Sequence, residues 1–429
     1  MTPLRQTVEP AAGRWAAAVL ILGLLGHALL FVRIAVLFAP GMYLGPSGSD
    51  RLFYFDYVRS IVIDRDLDFR DEMALWPPSS GLVVRGETPI NKYPIGAPLL
   101  SLPAYAATHA VMAASSAAEA APRGYGRPYV YAYALSQLTF GLVGFVLLFR
   151  VMRRYFGELI SAIAVVGAAF GTELLRYTAA DLLMSHAASF FSLSLCLLAS
   201  VRLREAPERT SRWVACGAAA AFVVLVRFQN GLFLVVPAAA VLVALGATAR
   251  APIGVRLRHV GAAIAGGSAV LAPQLLAWRV MTGEWIFNGY SEEVSFTWLA
   301  PHVHEVASLL AKWAPLLVIG AIGTLILAIK RRDAIVAAAL LCMVGSTYVT
   351  ASWWAYAIAP RTTFDNLAPI AFGLAGLAAA LRRLRPGSEW AVLVLPGLWN
   401  VPFMMLPIQE AGRAGDLLAD WYRGVRLLL

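Results

Sequence analysis

Residues 48–73, GSDRLFYFDYVRSIVIDRDLDFRDEM, carry seven carboxylates: Asp50, Asp56, Asp64, Asp66, Asp68, Asp71 and Glu72. The whole chain of 429 residues has only 25 acids, so this density marks the stretch as a place for acid–base or cation chemistry. Tyr54, Tyr57/Val58 and Ile61/Val62 recur at helical spacing and predict a helix over residues 50–63. Asp50 would open it. An N-cap carboxylate accepts backbone N–H bonds, whereas a general base must reach a hydroxyl and stay ionised. A helix start favours the ionised acid, so the two roles are compatible. Asp64, Asp66 and Asp68 are spaced like the opening of a calcium loop, but its sixth position is Phe69 instead of Gly and its twelfth is Leu75 instead of Glu. These acids are expected to cap backbone or to pair with Arg59, Arg65 and Arg70.

Four further sets bear chemistry. Residues 172–186, TELLRYTAADLLMSH, add Glu173, Arg176, Asp181 and His186. A lone histidine opening a span is more often structural; with Asp181, Asp56 and Asp50, His186 would orient an acceptor or phosphate. If a divalent cation takes part, Asp50 and Asp181 are the ligands to expect. Arg227, Gln229 and Asn230 sit inside a long apolar stretch. An ionisable residue at membrane depth costs about 2.5–3.5 kcal/mol to insert and points to function. The planar guanidinium suits phosphate; the alternative is a charge at a short outer turn. In SWWAYAIAPRTTFDN, residues 352–366, Trp353 and Trp354 read as interfacial belt residues, and Arg361 would bind a lipid phosphate or pair with Asp365. Asn91, Lys92 and Tyr93 precede Pro94-Ile95-Gly96. No serine-hydrolase elbow, P-loop, zinc motif or nucleotide fingerprint is present. Without a phosphate-cradling glycine loop, a nucleotide-sugar or ATP substrate is disfavoured.

The elements that must position these residues are lipid-embedded helices. The chain is 59% hydrophobic and 14% charged, against about 25% charged in a soluble domain, and its mean hydropathy is +0.69. The net charge of +10 is almost all arginine, because the only lysines are Lys92, Lys312 and Lys330. Positive-inside loops account for it better than nucleic-acid binding. Cys196, Cys216 and Cys342 lie in apolar runs without metal spacing. Arg14 precedes an apolar segment too long for a signal-peptide core, which reads as a retained anchor.

The expected fold is all-α and polytopic, a single integral-membrane domain of about 12 spans (range about 10–13). Candidate spans are 15–38, 97–117, 129–149, 157–174, 186–202, 213–226, 229–247, 260–278, 306–329, 334–352, 364–381 and 389–407. The pair 213–226 and 229–247 is a tight helical hairpin or one broken helix beside a cavity. Basic clusters at 150–154, 202–212, 250–258, 330–332 and 382–385 belong inside. That leaves the acidic loop 39–96 and the second loop 279–305 outside. One conflict follows: if 97–117 crosses fully, the cluster at 150–154 lands outside. Segment 97–117 is then re-entrant or interfacial, or one cluster breaks the rule. The tail, 408–429, reads as an amphipathic surface helix.

The runs SDRLFYFDYVRSIVIDRDLDF, NKYPIGAPLLSLPAYAATH, SHAASFF, RFQN and WWAYAIAPRTTFDNLAP, in that order, resemble bacterial glycosyltransferase-like members of the GT-C superfamily of integral-membrane glycosyltransferases. The resemblance covers most of the chain and is uninformative about the sugar. It implies a polyprenyl-phosphate sugar donor and transfer on the extracytoplasmic face of the bacterial inner membrane. The acceptor would be an envelope glycan, lipid or protein. The family's first-loop base maps onto Asp50 and a second acid onto Asp181. Arg227, Arg361 and Lys92 would neutralise the leaving phosphate, with Gln229, Asn230 and Tyr54 as polar support. The family's paired first-loop acids are not adjacent here: Ser49 precedes Asp50 and Arg51 follows. That puts a metal requirement in question. The competing readings are a transporter or flippase of lipid-linked glycan intermediates, usually built from repeats that this sequence lacks, and a non-catalytic envelope-assembly protein. No motif encodes the sugar, the acceptor or an oligomeric state.

Overall fold

Long apolar helices set the frame of this protein, and small residues set how closely they pack. The computed structural model describes residues 10–38, 50–75, 82–85, 88–115, 124–290, 295–313, 315–353, 367–403 and 417–428. Trp354, Arg361, Asp365 and Ser49 lie outside the described residues.

Helix α1 (Pro10–Leu30) continues as a π-helical segment, Phe31–Phe38. The acidic loop then supplies α2 (Asp50–Arg59), a π turn (Ser60–Asp64), α3 (Arg70–Leu75) and the strands β1 (Leu82–Arg85) and β2 (Thr88–Asn91). Next come α4 (Gly96–Ala113), α5 (Arg127–Met152), α6 (Glu158–Phe170), α7 (Leu174–Ala179), α8 (His186–Glu205) and α9 (Thr210–Val226). A 3-10 turn (Phe228–Leu234) leads into α10 (Val235–Ala247), followed by α11 (Ile253–Thr282), α12 (Val303–Trp313), α13 (Pro315–Arg331) and α14 (Ala334–Ser352). Helices α15 (Leu367–Leu384), α16 (Ala391–Phe403) and α17 (Leu417–Leu428) complete the chain. Among the described residues six helices are long and apolar enough to cross a membrane: Gly13–Leu37, Arg127–Met152, His186–Glu205, Phe228–Ala247, Ile253–Thr282 and Ala334–Ser352. Two shorter apolar helices, Glu158–Phe170 and Thr210–Val226, coincide with the expected spans 157–174 and 213–226. The all-α membrane architecture matches expectation, although fewer than twelve segments reach spanning length as single helices among the described residues.

The chain divides into two compact units. One comprises Met1–Ile34, Gly144–Arg176 and Phe296–Leu429. In it α13 and α15 cross with backbones nearly touching: a Cβ on Gly373 would come within 1.9 Å of the Gly320 carbonyl. This is how membrane helices gain packing without a hydrophobic drive. The amphipathic tail forms α17, whose Trp421 indole donates to the Leu398 carbonyl at 3.1 Å. The basic clusters at 150–154 and 330–332 lie side by side. Arg331 donates to the Tyr155 carbonyl at 3.0 Å and stacks 5.0 Å from the Phe156 ring centre.

The other unit comprises Ala35–Val143 and Tyr177–Ser295. Here α9 and α11 run parallel: Trp213 stacks on His259 near their starts and Phe228 packs on Trp278 near their ends. The intervening α10 must therefore return the chain, so 213–226 and 229–247 are a helical hairpin and not one broken helix. Helix α4 runs antiparallel to α5. Gln137 donates to the Ala97 carbonyl, Ser101 to the Tyr133 carbonyl and Tyr105 to the Gly124 carbonyl. The pair is a hairpin that returns toward the end at which α5 begins. Ala97 lies level with Gln137, part-way along α5, so α4 lies alongside only the first half of that helix.

Candidate active site

Helix α2 divides the acidic stretch between its two faces. Asp50, Phe53, Tyr54 and Tyr57 share one face by the spacings of three and four, while Asp56 and Arg59 look elsewhere. The expected helix over 50–63 is realised as α2 plus its π turn, and Asp50 is its first residue.

On the Asp50 face, the segment after β2 is bolted to the helix. Asn91 donates from Nδ2 to the Phe53 carbonyl at 2.7 Å, and its Oδ1 accepts the Tyr93 N–H at 3.1 Å. Tyr57 donates toward the carbonyls of Asn91 and Tyr93 at 3.1 and 2.9 Å. The result is a fixed Tyr93, stacked on Phe53 and donating its O–H to Asp50 Oδ1 at 2.9 Å. Burial first, and then the Asp50 charge, push the Tyr93 phenol above its ordinary range, so it stays a proton donor at neutral pH. Lys92, 3% exposed, lies with its ammonium 5.2 Å from the Tyr290 ring centre and 5.7 Å from that of Tyr93. A Cβ on Gly289 would meet the Lys92 Cβ at 2.5 Å, so glycine lets the loop after α11 close over the lysine.

Arg227 enters from the α9–α10 turn. It adopts an extended backbone after the last turn of α9 and is 7% exposed. Its Nη1 donates to His186 Nδ1 and its Nε to Gln229 Oε1 at 3.2 Å. A guanidinium can only donate, so the ring nitrogen it faces is the acceptor. Next to this pair, Asn230 donates to Ser189 at 2.8 Å, and the His186 ring packs 4.2 Å from that of Tyr177. The Tyr290 phenol is pushed upward chiefly by burial, then by Tyr54 and Asp50, against an opposing pull from Arg227. Tyr290 thus lies in the fields of both Asp50 and Arg227. Asp181 is held by Arg51, with Nε 2.7 Å from Oδ1 and Nη2 2.7 Å from Oδ2. This two-point pair fixes the start of α2 to the turn before α8.

The other α2 face is a separate buried cluster. Tyr125 donates to Asp56 Oδ1 at 2.6 Å, and Arg59 pairs with Glu72 at 2.6 Å and with Asp64. Burial drives the Asp56 carboxyl well above the usual carboxylate range and lifts Glu72 from 4.5 to about 7. The expected structural roles of the loop acids are found too: Asp66 accepts from Ser60 and from the Asp68 N–H, and Arg70 closes on Asp68.

No family model matches the sequence, and no curated protein matches it. Solved structures do. ArnT from Cupriavidus metallidurans, bound to undecaprenyl phosphate, aligns over 96% of this chain and 75% of its own, with a TM-score of 0.52 and 14% identity. The archaeal oligosaccharyltransferase AglB from Archaeoglobus fulgidus, in complex with an inhibitory peptide and a dolichol-phosphate, aligns over 95% of this chain and 59% of its own, with a TM-score of 0.52 and 11% identity. The fold is GT-C-like. At these identities the likeness is one of fold.

Within this GT-C-like frame the structure sorts the expected site residues. Asp50, Tyr54, Lys92, Asp181, His186, Arg227, Gln229 and Asn230 all belong to the second unit. Asp50, Tyr54 and Lys92 contact Tyr93, Lys92 also faces Tyr290, and Arg227 is buried against His186 and Gln229 with its charge felt at Tyr290. Asp56 turns away into the buried cluster. Glu173 and Arg176 part from Asp181 and His186: Arg176 belongs to the first unit, where it pairs with Glu173 at 3.1 Å and donates to the Phe403 carbonyl at 2.8 Å. Arg361 lies outside the described residues. Asp181, one of the two expected cation ligands, is paired with Arg51. Arg51 hydrogen-bonds Asp181 Oδ2 and lies 2.7 Å from its Oδ1, and no group of three metal-ligating side chains occurs among the described residues. Sequence reasoning gave no role to Arg51, Asn91, Tyr93 or Tyr290. Asn91 and Tyr93 carried a signal, as the neighbours of a rare lysine.

Proposed function

We propose that this protein is a membrane glycosyltransferase that moves a sugar from a polyprenyl-phosphate donor to an acceptor hydroxyl on the extracytoplasmic face. The observation that carries this reading is one oriented carboxylate, Asp50, held by Tyr93 with the buried Lys92 against the Tyr93 and Tyr290 rings, and a buried Arg227 in the same unit, in a GT-C-like fold. Neighbouring folds bind undecaprenyl phosphate and dolichol-phosphate, and the cations here suit such a phosphate. Acceptor classes consistent with the site are an envelope glycan, a lipid or a protein.

In the proposed step Asp50 takes the proton of the acceptor hydroxyl. The oxygen attacks the anomeric carbon from the side opposite the phosphate, with inversion. The carbon–oxygen bond to the phosphate breaks, and its electron pair leaves on the polyprenyl phosphate. The charge that grows there is met by Arg227 and Lys92, preorganised in a site shielded from water, where such stabilisation is usually the largest contribution. Arg227 is itself oriented by His186 and Gln229. Tyr93 holds Asp50, and the Arg51–Asp181 pair holds the helix that carries it. No step requires a divalent cation. The test is transfer from a polyprenyl-phosphate sugar by the purified chain in lipid nanodiscs, with Asp50→Asn as control. Turnover unchanged in Asp50→Asn refutes the base assignment. Transport of an unaltered lipid-linked sugar across vesicles would favour a flippase instead.

A further inference from the structure

Away from the Asp50 site, the second unit contains a groove of about 450 Å³ between α8 and α9, flanked by α4, α5 and α11. Its walls follow from sequence. Helix α8 presents Phe191, Leu195, Leu198 and Arg202 at helical spacing, and α9 answers with Arg212, alanines and Phe222. The alanines opposite larger α8 side chains leave the space open. One end is closed by aromatic rings: Phe191 packs 5.0 Å from Phe140 and 6.0 Å from Phe222, centre to centre. The other end holds Arg202 and Arg212, one from each helix, at the turn that carries the basic cluster. From Phe191 to Arg202 the helix rises about 16 Å. That matches one leaflet of hydrocarbon, half of a core about 30 Å thick.

We infer that this groove binds one acyl chain of an anionic phospholipid from the leaflet on the basic side, with the lipid phosphate between Arg202 and Arg212. Three features carry the assignment. The walls are apolar and aromatic, which suits a hydrocarbon chain. The paired arginines suit a phosphate, and basic pockets between membrane helices at that face bind anionic headgroups. The groove is one leaflet long and closed by rings at its far end, which fits a fatty-acyl chain better than a longer polyprenyl chain. The site is independent of the proposed transfer reaction: Arg202 and Arg212 lie at the opposite ends of α8 and α9 from His186 and Arg227.

Native mass spectrometry of the purified chain in mild detergent tests this, with phosphatidylglycerol, phosphatidylcholine and undecaprenyl phosphate as separate probes. One phosphatidylglycerol per chain should be retained in preference to phosphatidylcholine. Replacing both arginines, Arg202→Gln with Arg212→Gln, should weaken retention about 30-fold. Ala218→Leu, which fills the groove and leaves the arginines in place, should reduce retention independently, so the test survives if the double variant fails to fold. Equal retention of phosphatidylcholine overturns the headgroup assignment. Unchanged phosphatidylglycerol binding in a folded variant of either kind overturns the site. Retention of undecaprenyl phosphate that these variants abolish would place a prenyl chain in the groove and overturn the acyl-lipid proposal.

Discussion

Asp50 and Asp56 lie on one helix, six residues apart, and their surroundings are opposite. Asp50 meets a phenol that donates to it, with Lys92 against the same ring. Asp56 meets Tyr125 in a closed cluster where burial holds its carboxyl well above the usual carboxylate range. One carboxylate is held by a phenol beside a buried lysine, and the other is locked in a closed cluster. Acid content marks a region, but the partners of each acid decide what it does.

The sharpest way to break this contrast is to exchange the two acids for amides. Asp50→Asn should lower transfer by about 10²–10⁴-fold, the range of a lost general base, while Asp56→Asn leaves turnover per folded molecule within a few fold. The reverse order, with both variants folded by circular dichroism, would invert the assignment. The cations extend the comparison. Arg227→Ala should reduce kcat/KM by about 10²–10³-fold, as expected for a lost electrostatic donor. Arg59→Ala should instead cost stability, about 3 kcal/mol for breaking a buried pair, with little effect on the turnover of what remains folded. Melting curves together with steady-state kinetics separate the two.

Glu72 gives the cluster a pH signature. Its folded-state value of about 7 lies above its ordinary 4.5, so the native state keeps a proton that the unfolded chain releases. Its contribution is complete below about pH 4.5 and is lost as pH rises through about 7, on the order of 3 kcal/mol in all. Glu72→Gln should flatten the apparent Tm between pH 5 and 8. A slope unchanged by that substitution would remove Glu72 as its source. The smallest effect is expected at Tyr93→Phe, a roughly tenfold loss in kcat from the missing hydrogen bond to a charged group. Its melting temperature should stay near native, because Asn91 and Tyr57 still fasten the segment.

Much of the frame was legible in the sequence. The helix at 50–63, the apolar spans, the basic clusters and the amphipathic tail follow from periodicity and charge, which are local properties. Some candidate site residues were legible for the same reason: an arginine inside an apolar stretch and a rare lysine stand out by cost alone. The division into two units was not legible, since each is assembled from stretches far apart in the chain. Nor was the splitting of 172–186, where Arg176 turns to Phe403 and Asp181 to Arg51.

By itself, then, the sequence determined that this protein lives in a membrane, which residues are too costly to be idle there, and where the acids gather. Only the tertiary structure decided that Asp50 meets Tyr93 beside Lys92 while Asp56 meets Tyr125, that Asp181 is tied to Arg51, and that Arg227 is held by His186 and Gln229. Composition and spacing fix the cost of burying each group. What offsets that cost is a partner supplied from elsewhere in the chain, and that depends on the packing of helices whose contacts no local pattern records.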